Sequence, residues 1–440
     1  MDAKIFLKKK KLKEGDFVEA VFGEETVLGT IIPGNETGIV FLKLKSGYNI
    51  GLSPGKISSI KKISQGMKTA KPQTTEIKQN TSLPKISILH TGGTIASRVN
   101  YETGGVFASF SPEDLLSMFP ELGKIANFES TLVSNIMSED MRFSDYKTIA
   151  KAIEKEIKKG VKGIILGHGT DTLGYTSAAL AFALENCPVP ILLVGAQRSS
   201  DRGSSDAAMN LICAASFIAK TDFAGVAICM HHSNSDDACA ILPACKTRKM
   251  HTSRRDAFKA INDSPIALVD YKTGEINFLK KDYPRKTAEN FKARPDFEEK
   301  TGFLYSHPNM SVKEFSFFKE NKSKGLVIAG TGLGHIPIAT KEHAKNLEII
   351  KSLVKSGCVV CMASQCLFGR VHPTIYANLR KVSGIGVIYC EDMLPETAFV
   401  KLAWLLGNYK DKEKIKELMQ KNLCGEINER TPLDSKAPES

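Results

Sequence analysis

Two segments of the sequence place threonine hydroxyls directly after short apolar runs. The first, HTGGTIAS at residues 90–97, has Thr94 behind a pair of glycines, and the second, GHGTDTLGYTS at residues 167–177, has Thr170 beside Asp171. A threonine hydroxyl becomes a nucleophile when a neighbouring base accepts its proton. A loop that only turned the chain would need the glycines but not the hydroxyls. The pattern therefore predicts acyl transfer; both loops present a hydroxyl near a possible base, and of the two candidates for the attacking residue, Thr94 and Thr170, we favour Thr94.

The remaining parts of such a site are a group that stabilises the oxyanion and a base. Gly92 and Gly93 let the backbone approach a substrate closely, and their amides are suited to donate to an oxyanion. Asp171 stands next to the second threonine. Lys249, in RKMHTSRRDAF, is a more distant candidate for proton transfer once burial or a neighbouring charge tunes it.

Phosphate and metal binding are less favoured interpretations of the polar motifs. GTDTLGYT has the outline of a phosphate-binding loop, but Tyr175 stands where that loop needs a lysine, so the pattern does not favour ATP binding. Cys358 and Cys361 form a C-x-x-C inside an apolar run, where alternation places them on different faces. Buried thiols are therefore favoured over zinc. His90 and His168 end apolar runs, and the sequence gives neither a chemical role.

The elements that must position these residues are strands alternating with helices. One helix is predicted from Ser144, as its cap, to Gly160, with Ile149, Ile153 and Ile157 stacked at four-residue spacing. Strands buried on both faces and separated by helices indicate a parallel sheet, whose ligands bind beyond the carboxyl ends of the strands. Both threonine loops follow strands, so we expect them to meet in one cleft. The fully apolar runs of strand length are ISIL, GIILG, VPILLVGA, GVAICM, GLVIAG, GCVVCMA and GIGVIYC.

The organisation of the chain changes near residue 65. Before it, short alternating runs are broken by glycine and proline, which is typical of a small all-β barrel or sandwich. The lysine run from Lys8 to Lys13 is interpreted as a solvated arm. The predicted domains are a β module at 1–65, a polar linker at 66–84, a larger α/β lobe at 85–295, a smaller α/β lobe at 296–425 and a polar tail at 426–440.

The composition is that of an ordinary soluble chain of two or three domains, with 42% hydrophobic residues among 440. No apolar stretch is long enough to span a bilayer, and the N-terminus lacks the features of a signal peptide. We therefore expect a cytoplasmic protein with reduced cysteines and no membrane partner. The formal net charge of +12 favours an anionic partner such as nucleic acid, but a solvated lysine-rich surface explains it about as well.

Four motifs, taken in order, resemble one known family. TGGTIAS, GHGTDT, ILLVGAQRSS and KMHTSRRDAF stand in the order and at the separations of the bacterial-type L-asparaginases, which hydrolyse the side-chain amides of asparagine and glutamine. The resemblance covers about residues 85–425 and implies an asparaginase-like, two-lobed parallel-sheet α/β fold. It also implies that Thr94 is the first-loop nucleophile and that Thr170, Asp171 and Lys249 handle the proton.

The resemblance further implies contacts to the substrate. MSEDM matches the substrate-holding loop, which makes Ser138 and Glu139 contacts for the amino and carboxylate ends of the amino acid, with Gly93 in the first loop also facing the substrate. The flexible-loop tyrosine of the family has no counterpart at the matching spacing, and Tyr101 is the nearest residue of that type. Leu333 stands where free asparaginases often have an asparagine that reaches a neighbouring protomer's site.

Two features depart from free asparaginases, namely the N-terminal β module and the stretch SQCLFGRVHPTIYANLRK followed by CEDMLPETAFVKLAWLLG. With these features the sequence resembles, over nearly the whole chain, the D subunits of archaeal glutamyl-tRNA(Gln) amidotransferases. This second resemblance implies a small all-β (SH3-like) barrel in front of the asparaginase-like domain. It also implies that the chain takes glutamine and releases ammonia for a tRNA-dependent amidation.

The same resemblance implies a division of labour between subunits. An E-type partner subunit would bind Glu-tRNA(Gln) and activate its glutamate with ATP and Mg²⁺, while this chain itself holds no cofactor. A homodimer core within a heterotetramer is the implied assembly. Two other hypotheses stay open at this point: a free cytoplasmic asparaginase, and a catalytically silent scaffold that binds RNA through its barrel.

Overall fold

The computed structural model describes residues 2–23, 25–32, 38–44, 49–64, 80–92, 97–99, 106–108, 120–198, 205–287 and 289–431. Gly93, Thr94 and Tyr101, as well as most of the predicted linker, lie outside these residues. The helices of the described part are α1 (Ala3–Lys9), α2 (Phe143–Lys158), α3 (Leu173–Ala183), α4 (Ala207–Lys220), α5 (Val312–Glu320), α6 (Ala344–Lys355), α7 (Ala377–Gly384), α8 (Pro395–Asn408) and α9 (Lys412–Met419).

The strands belong to an N-terminal sheet, a large central sheet, a smaller C-terminal sheet and three short two-stranded ribbons. They are β1 (Phe17–Phe22), β2 (Glu25–Ile32), β3 (Val40–Leu44), β4 (Asn49–Leu52), β5 (Ile57–Ser64), β6 (Lys85–His90), β7 (Ser97–Val99), β8 (Val106–Ala108), β9 (Asn127–Leu132), β10 (Gly163–Gly167), β11 (Leu184–Glu185), β12 (Pro190–Val194), β13 (Gly225–His231), β14 (Ala238–Pro243), β15 (Thr247–Lys249), β16 (Phe258–Ala260), β17 (Ala267–Asp270), β18 (Ile276–Phe278), β19 (Lys292–Ala293), β20 (Thr301–Tyr305), β21 (Gly325–Gly330), β22 (Val359–Ser364) and β23 (Ile388–Tyr389).

The N-terminal module is all-β apart from α1, as the alternating runs predict. Strands β1 to β5 form an antiparallel sheet in the order β4-β3-β2-β1-β5. Alternation in β1 turns Val18 and Ala20 into the core, where they meet Ile31 and Leu42. Because one face of each strand is apolar and the other polar, the sheet needs only one covered face.

Helix α1 and the turn after it modify the interpretation of the lysine run from Lys8 to Lys13 as a solvated arm. The Asp2 carboxylate accepts a hydrogen bond from the backbone N–H of Ile5 at 3.1 Å, which caps the helix. Phe6 and Leu12 are buried in the module's core. Lys8 stays exposed in the last turn, where a cation interacts favourably with the helix dipole. The lysines are therefore solvated as expected, but the segment that carries them is anchored by its apolar residues.

The central sheet has eight strands in the order β18-β17-β14-β13-β12-β10-β6-β9. The five strands β13, β12, β10, β6 and β9, which are neighbours in this order, pair in parallel and confirm the parallel core. Strands β14, β17 and β18 pair antiparallel, so the sheet is mixed rather than wholly parallel. The reason is the short loop between β13 and β14, at residues 232–237, which allows a hairpin but not a crossover.

Helix α2 covers this sheet and is the helix predicted around Ile149, Ile153 and Ile157. Ile149 and Ile153 are fully buried against it. The helix starts one residue before the predicted cap, Ser144. Its first turn is closed instead by Asp145, whose carboxylate accepts from the backbone N–H of Arg142 at 2.8 Å.

The C-terminal sheet is parallel throughout, in the order β20-β21-β22-β23. Helix α8 joins it to the central sheet, because its Trp404 ring stacks on Phe182 of α3 with 5.7 Å between ring centroids. Cys361 faces the core shared by the two sheets, whereas Cys358 faces the separate core of the smaller lobe. The two thiols thus lie on different faces, as alternation predicts.

Candidate active site

The two threonine loops start side by side because their strands are neighbours. Strand β6 pairs in parallel with β10, so that His90 lies opposite Gly167. The backbone N–H and the hydroxyl of Thr91 both donate to the carbonyl of Gly167, each at 3.0 Å. The expectation that both loops meet at one edge of the sheet is therefore met for the residues that the structure describes.

The first loop can pass this edge only with glycine at position 92. Gly92 has a φ of +106°, and a Cβ added there would lie 2.6 Å from the backbone oxygen of Ile136. The backbone N–H of Ile136 in turn donates to the carbonyl of Thr91 at 2.9 Å. The close approach leaves no room for a side chain at position 92.

The segment that holds Ser138 lies between the two loops. A Cβ added to Gly169 would lie 2.7 Å from the Cβ of Ser138, and the hydroxyl of Thr172 donates to the Ser138 carbonyl at 2.6 Å. Ser138 is buried, whereas Glu139 is exposed. Ser138 thus lies against the second threonine loop, and Glu139 lies on the solvent side of it.

Lys249 reaches the second threonine loop from β15. Its Nζ lies 2.9 Å from the hydroxyl oxygen of Thr170 and 2.7 Å from Oδ1 of Asp171. The lysine side chain is 14% exposed, whereas that of Asp171 is 64% exposed, so the ion pair sits at the mouth of the site. These contacts are within the reach that proton transfer between a hydroxyl and a base requires. Lys249 and the adjacent pair Thr170 and Asp171, which are 79 and 78 residues apart from it in the sequence, form one contiguous group.

A cavity of about 400 Å³ opens beside Lys249 and Asp171. Sequence reasoning gave no role to several of its residues, in particular Arg248 and Glu396, whose side chains pair at 3.0 Å. Pro395 and Glu396 in LPETA are typical of a helix start, but nothing in the sequence brings that start to residue 248. The cavity is lined by Asp171, Gly174, Tyr175, Thr247, Arg248, Lys249, Met250, His251, Thr252, Leu394, Glu396 and Thr397.

His168 is buried and stabilises the second loop through hydrogen bonds. Its Nδ1 lies 2.6 Å from the carbonyl oxygen of Gly169, and its Nε2 lies 2.9 Å from the Thr176 hydroxyl. Because a carbonyl only accepts, Nδ1 carries the proton and Nε2 accepts from the threonine. Burial lowers the pKa of His168 to about 4, so the ring is neutral at physiological pH. His168 therefore has a structural place in the loop that the sequence did not indicate.

The two buried histidines next to the loops predict a stability that falls on mild acidification. Burial lowers the pKa of His90, like that of His168, to about 4 from an ordinary 6.5. As the pH falls from 6.5 to 4, the unfolded chain binds protons that the folded chain does not, and each histidine removes about 3 kcal/mol from the free energy of unfolding. Urea unfolding between pH 7 and 4.5 checks this, and His168→Gln is expected to reduce the slope by one proton. A free energy of unfolding that stays constant over this range would contradict it.

Gly195 predicts a sensitive position behind Thr170. A Cβ added there would lie 2.8 Å from Cγ2 of Thr170 and 3.2 Å from the carbonyl of His168, so Gly195→Ala must displace the threonine. Since misplacing a reacting group by about 1 Å costs on the order of 10²-fold in rate, we expect kcat for amide hydrolysis to fall by about that factor. The matched control is Gly384→Ala in α7, where the added Cβ meets no atom within 4 Å. Equal rates for the two variants would refute the expectation.

Of the residues singled out from the sequence, the structure brings Thr170, Asp171 and Lys249 together and places Ser138 against their loop. Glu139 is close in sequence but faces solvent. The remaining candidates, Gly93 and Thr94, lie outside the described residues.

Family models match three parts of the chain. Residues 12–63 match the GatD N-terminal domain, residues 85–283 match the asparaginase N-terminal domain, and residues 300–419 match the glutaminase/asparaginase C-terminal domain. Among solved structures, the thermostable L-asparaginase from Thermococcus kodakarensis is similar with a TM-score of 0.69 at 31% identity, over 78% of this chain and 99% of that one. L-asparaginase I from Vibrio cholerae is similar with a TM-score of 0.68 at 26% identity, over 79% of this chain and 99% of that one. The asparaginase-like fold is thus confirmed.

Curated relatives match the chain almost from end to end, N-terminal module included. The D subunit of the glutamyl-tRNA(Gln) amidotransferase from Pyrococcus furiosus is 45% identical over 96% of this chain and 96% of its own length. The D subunit from Thermococcus kodakarensis is 42% identical over 98% of both chains, and one from Methanococcus maripaludis is 42% identical over 96% of this chain and 99% of its own. Together with the three domain matches, these relatives show that the chain belongs to the family of glutamyl-tRNA(Gln) amidotransferase D subunits.

Proposed function

We propose that this chain is the glutaminase subunit of a tRNA-dependent amidotransferase, which releases ammonia from glutamine for the conversion of Glu-tRNA(Gln) to Gln-tRNA(Gln). The observation that carries the proposal is the group in which Lys249 Nζ contacts the Thr170 hydroxyl at 2.9 Å and Asp171 at 2.7 Å. A hydroxyl, an amine and a carboxylate in mutual contact are the parts that activate an oxygen nucleophile. Membership of the D-subunit family supports glutamine as the amide donor.

In the proposed reaction, a threonine hydroxyl attacks the side-chain carbonyl carbon of glutamine. We assign this attack to Thr94, with Gly93 in the same loop near the oxyanion. The group of Thr170, Lys249 and Asp171 takes up the hydroxyl proton. The C–N bond then breaks, the nitrogen leaves as ammonia with that proton, and water hydrolyses the acyl-enzyme to glutamate.

The substrate would lie between the loops and the segment at Ser138. In this proposal Ser138 and Glu139 contact the amino and carboxylate ends of glutamine. Burial of Ser138 against Gly169 suits a group that must be held in place, and the exposure of Glu139 suits the solvent side of the bound amino acid.

The amidation itself would take place on a partner. We propose an E-type subunit that binds Glu-tRNA(Gln) and uses ATP and Mg²⁺ to phosphorylate the glutamate, in a cytoplasmic heterotetramer built on a homodimer of this chain. Tyr175 in place of a phosphate-loop lysine supports locating ATP outside this chain. No helix among the described residues is both long and apolar enough to cross a bilayer.

Ammonia release tests the proposal against a free asparaginase. The purified chain is assayed with glutamine and with asparagine, alone and together with the E-type partner, ATP and Glu-tRNA(Gln). We expect glutamine to be the better substrate and its hydrolysis to rise strongly in the complete mixture. Full-rate hydrolysis of asparagine by the chain alone, indifferent to partner and tRNA, would overturn the proposal.

A further inference from the structure

The segment that carries Lys249 is bonded to the start of helix α8, which belongs to the other lobe. These bonds come from neighbouring residues of both segments. In chain order they are Cys245 O with Thr397 Oγ1 at 2.8 Å, Lys246 Nζ with Asp392 Oδ2 at 2.7 Å, and Arg248 Nη2 with Glu396 Oε1 at 3.0 Å.

Strand β15, on which Lys249 lies, has little support from its own sheet. It is three residues long and pairs with β16 in a two-stranded ribbon that is separate from the central sheet. A two-stranded ribbon is at best marginally stable by itself. The position of the Lys249 backbone therefore depends on tertiary bonds, and those to α8 are the nearest in sequence.

The central bond of the three is rigid because both of its members are buried and Asp392 has partners on both carboxylate oxygens. The side chains of Lys246 and Asp392 are 0% and 1% exposed. Asp392 also accepts from the backbone N–H of Asn428 at 2.9 Å and from its side-chain amide at 2.8 Å. A carboxylate with partners on both oxygens cannot rotate without breaking hydrogen bonds, so it holds Lys246 in one place.

We propose that residues 392–397 are a positioning element for Lys249, in which the C-terminal lobe holds the base against Thr170 and Asp171. Thr397, Asp392 and Glu396 are its positioning residues, and they act through the backbone and side chains of residues 245–248. The inference rests on the proposed role of Lys249 in amide hydrolysis. It assigns to the smaller lobe a part in aligning the reacting groups of the larger one.

Thr397 offers the mildest test, because valine has its shape without the hydroxyl. Thr397→Val removes the bond to Cys245 while leaving the two ion pairs intact. We expect kcat for glutamine hydrolysis to fall about tenfold with KM nearly unchanged, since loss of alignment affects the reacting group rather than binding. The pH profile of kcat is expected to shift, because the contacts from Lys249 to Thr170 and Asp171 change. Thr397→Ser keeps the hydroxyl and should restore both values.

A pair of lysine variants separates positioning from general stability. Lys246→Met breaks a buried ion pair that holds the Lys249 segment. Lys401→Met breaks an equally buried ion pair, which joins Lys401 of α8 to Glu426 and does not touch the Lys249 segment. Rates are expressed per folded molecule, with the folded fraction taken from circular dichroism. We expect Lys246→Met to lower kcat at least tenfold and Lys401→Met to leave it within twofold.

Unchanged kcat and pH profile in Thr397→Val, or equal losses in the two lysine variants, would overturn the inference. Its failure is distinct from failure of the proposed function. If Lys249→Met abolishes hydrolysis while Thr397→Val has no effect, only the positioning role is wrong. If Lys249→Met itself keeps the wild-type rate, the proposed function falls and the inference with it.

Discussion

Replacing Lys249 by methionine is expected to lower kcat for glutamine hydrolysis by roughly 10³-fold, the order of magnitude that a positioned acid or base contributes. Methionine matches the apolar stem of lysine but removes the nitrogen that lies 2.9 Å from Thr170 and 2.7 Å from Asp171. The threonine then has no neighbouring amine to accept its proton. KM should change much less than kcat, because the loss falls on the transition state.

The matched control for this substitution is Lys259→Met on β16. Lys259 lies in the strand that pairs with β15, but its ammonium contacts the carbonyl of His232 and the carboxylate of Asp256. We expect the steady-state rate of ammonia release by this variant to stay near that of the wild type. A Lys249→Met enzyme that retains more than a tenth of wild-type kcat would exclude the lysine as the proton-handling residue.

The largest expected loss of stability follows from the Lys401–Glu426 ion pair. Both side chains are fully buried, with 2.6 Å between Nζ and Oε1, and Glu426 also accepts from the backbone N–H groups of Leu423 and Cys424. Lys401→Met leaves the carboxylate buried without its cation. Breaking a buried pair from one side costs about 3–5 kcal/mol of the free energy of unfolding.

Urea unfolding monitored by the fluorescence of Trp404, the single tryptophan, reports on this region directly, because Trp404 lies on the same helix as Lys401. In the double variant Lys401→Met with Glu426→Gln, much of the lost free energy of unfolding should be recovered, since an amide oxygen still accepts from the backbone without carrying a charge. The control is Lys414→Met, which removes an exposed pair with Glu417 and should cost less than about 1 kcal/mol. An equal effect of Lys401→Met and Lys414→Met would contradict the account.

The parts of the site that lie at strand ends could be predicted from the sequence. Apolar runs located β6 and β10, and the rule that ligands bind beyond the carboxyl ends of parallel strands brought the loops after His90 and Gly167 together. The position of Lys249 beside Thr170 could not be predicted in this way, since the two residues are 79 apart and no local periodicity connects them. Resemblance to known motifs supplied it, and the geometry agrees.

What the sequence did not predict depends on contacts between distant segments. Thr397 meets Cys245 across 152 residues, and Lys246 meets Asp392 across 146, so neither pair leaves a local pattern. Helix α1 was missed for a local reason, because a run of lysines hides the few apolar positions that anchor it. Strand β14 is not among the apolar runs predicted as strands, and its antiparallel direction follows from the short loop before it.

The most direct test of the central claim follows the nitrogen itself. Glutamine labelled with ¹⁵N in its side-chain amide is given to this chain together with the E-type partner, ATP, Mg²⁺ and Glu-tRNA(Gln), and the amino acid released from the tRNA is analysed by mass spectrometry. We expect labelled glutamine on the tRNA with the wild-type chain and none with Lys249→Met. Unlabelled tRNA alongside full-rate release of ¹⁵N-ammonia into solution would contradict it and identify an independent amidohydrolase.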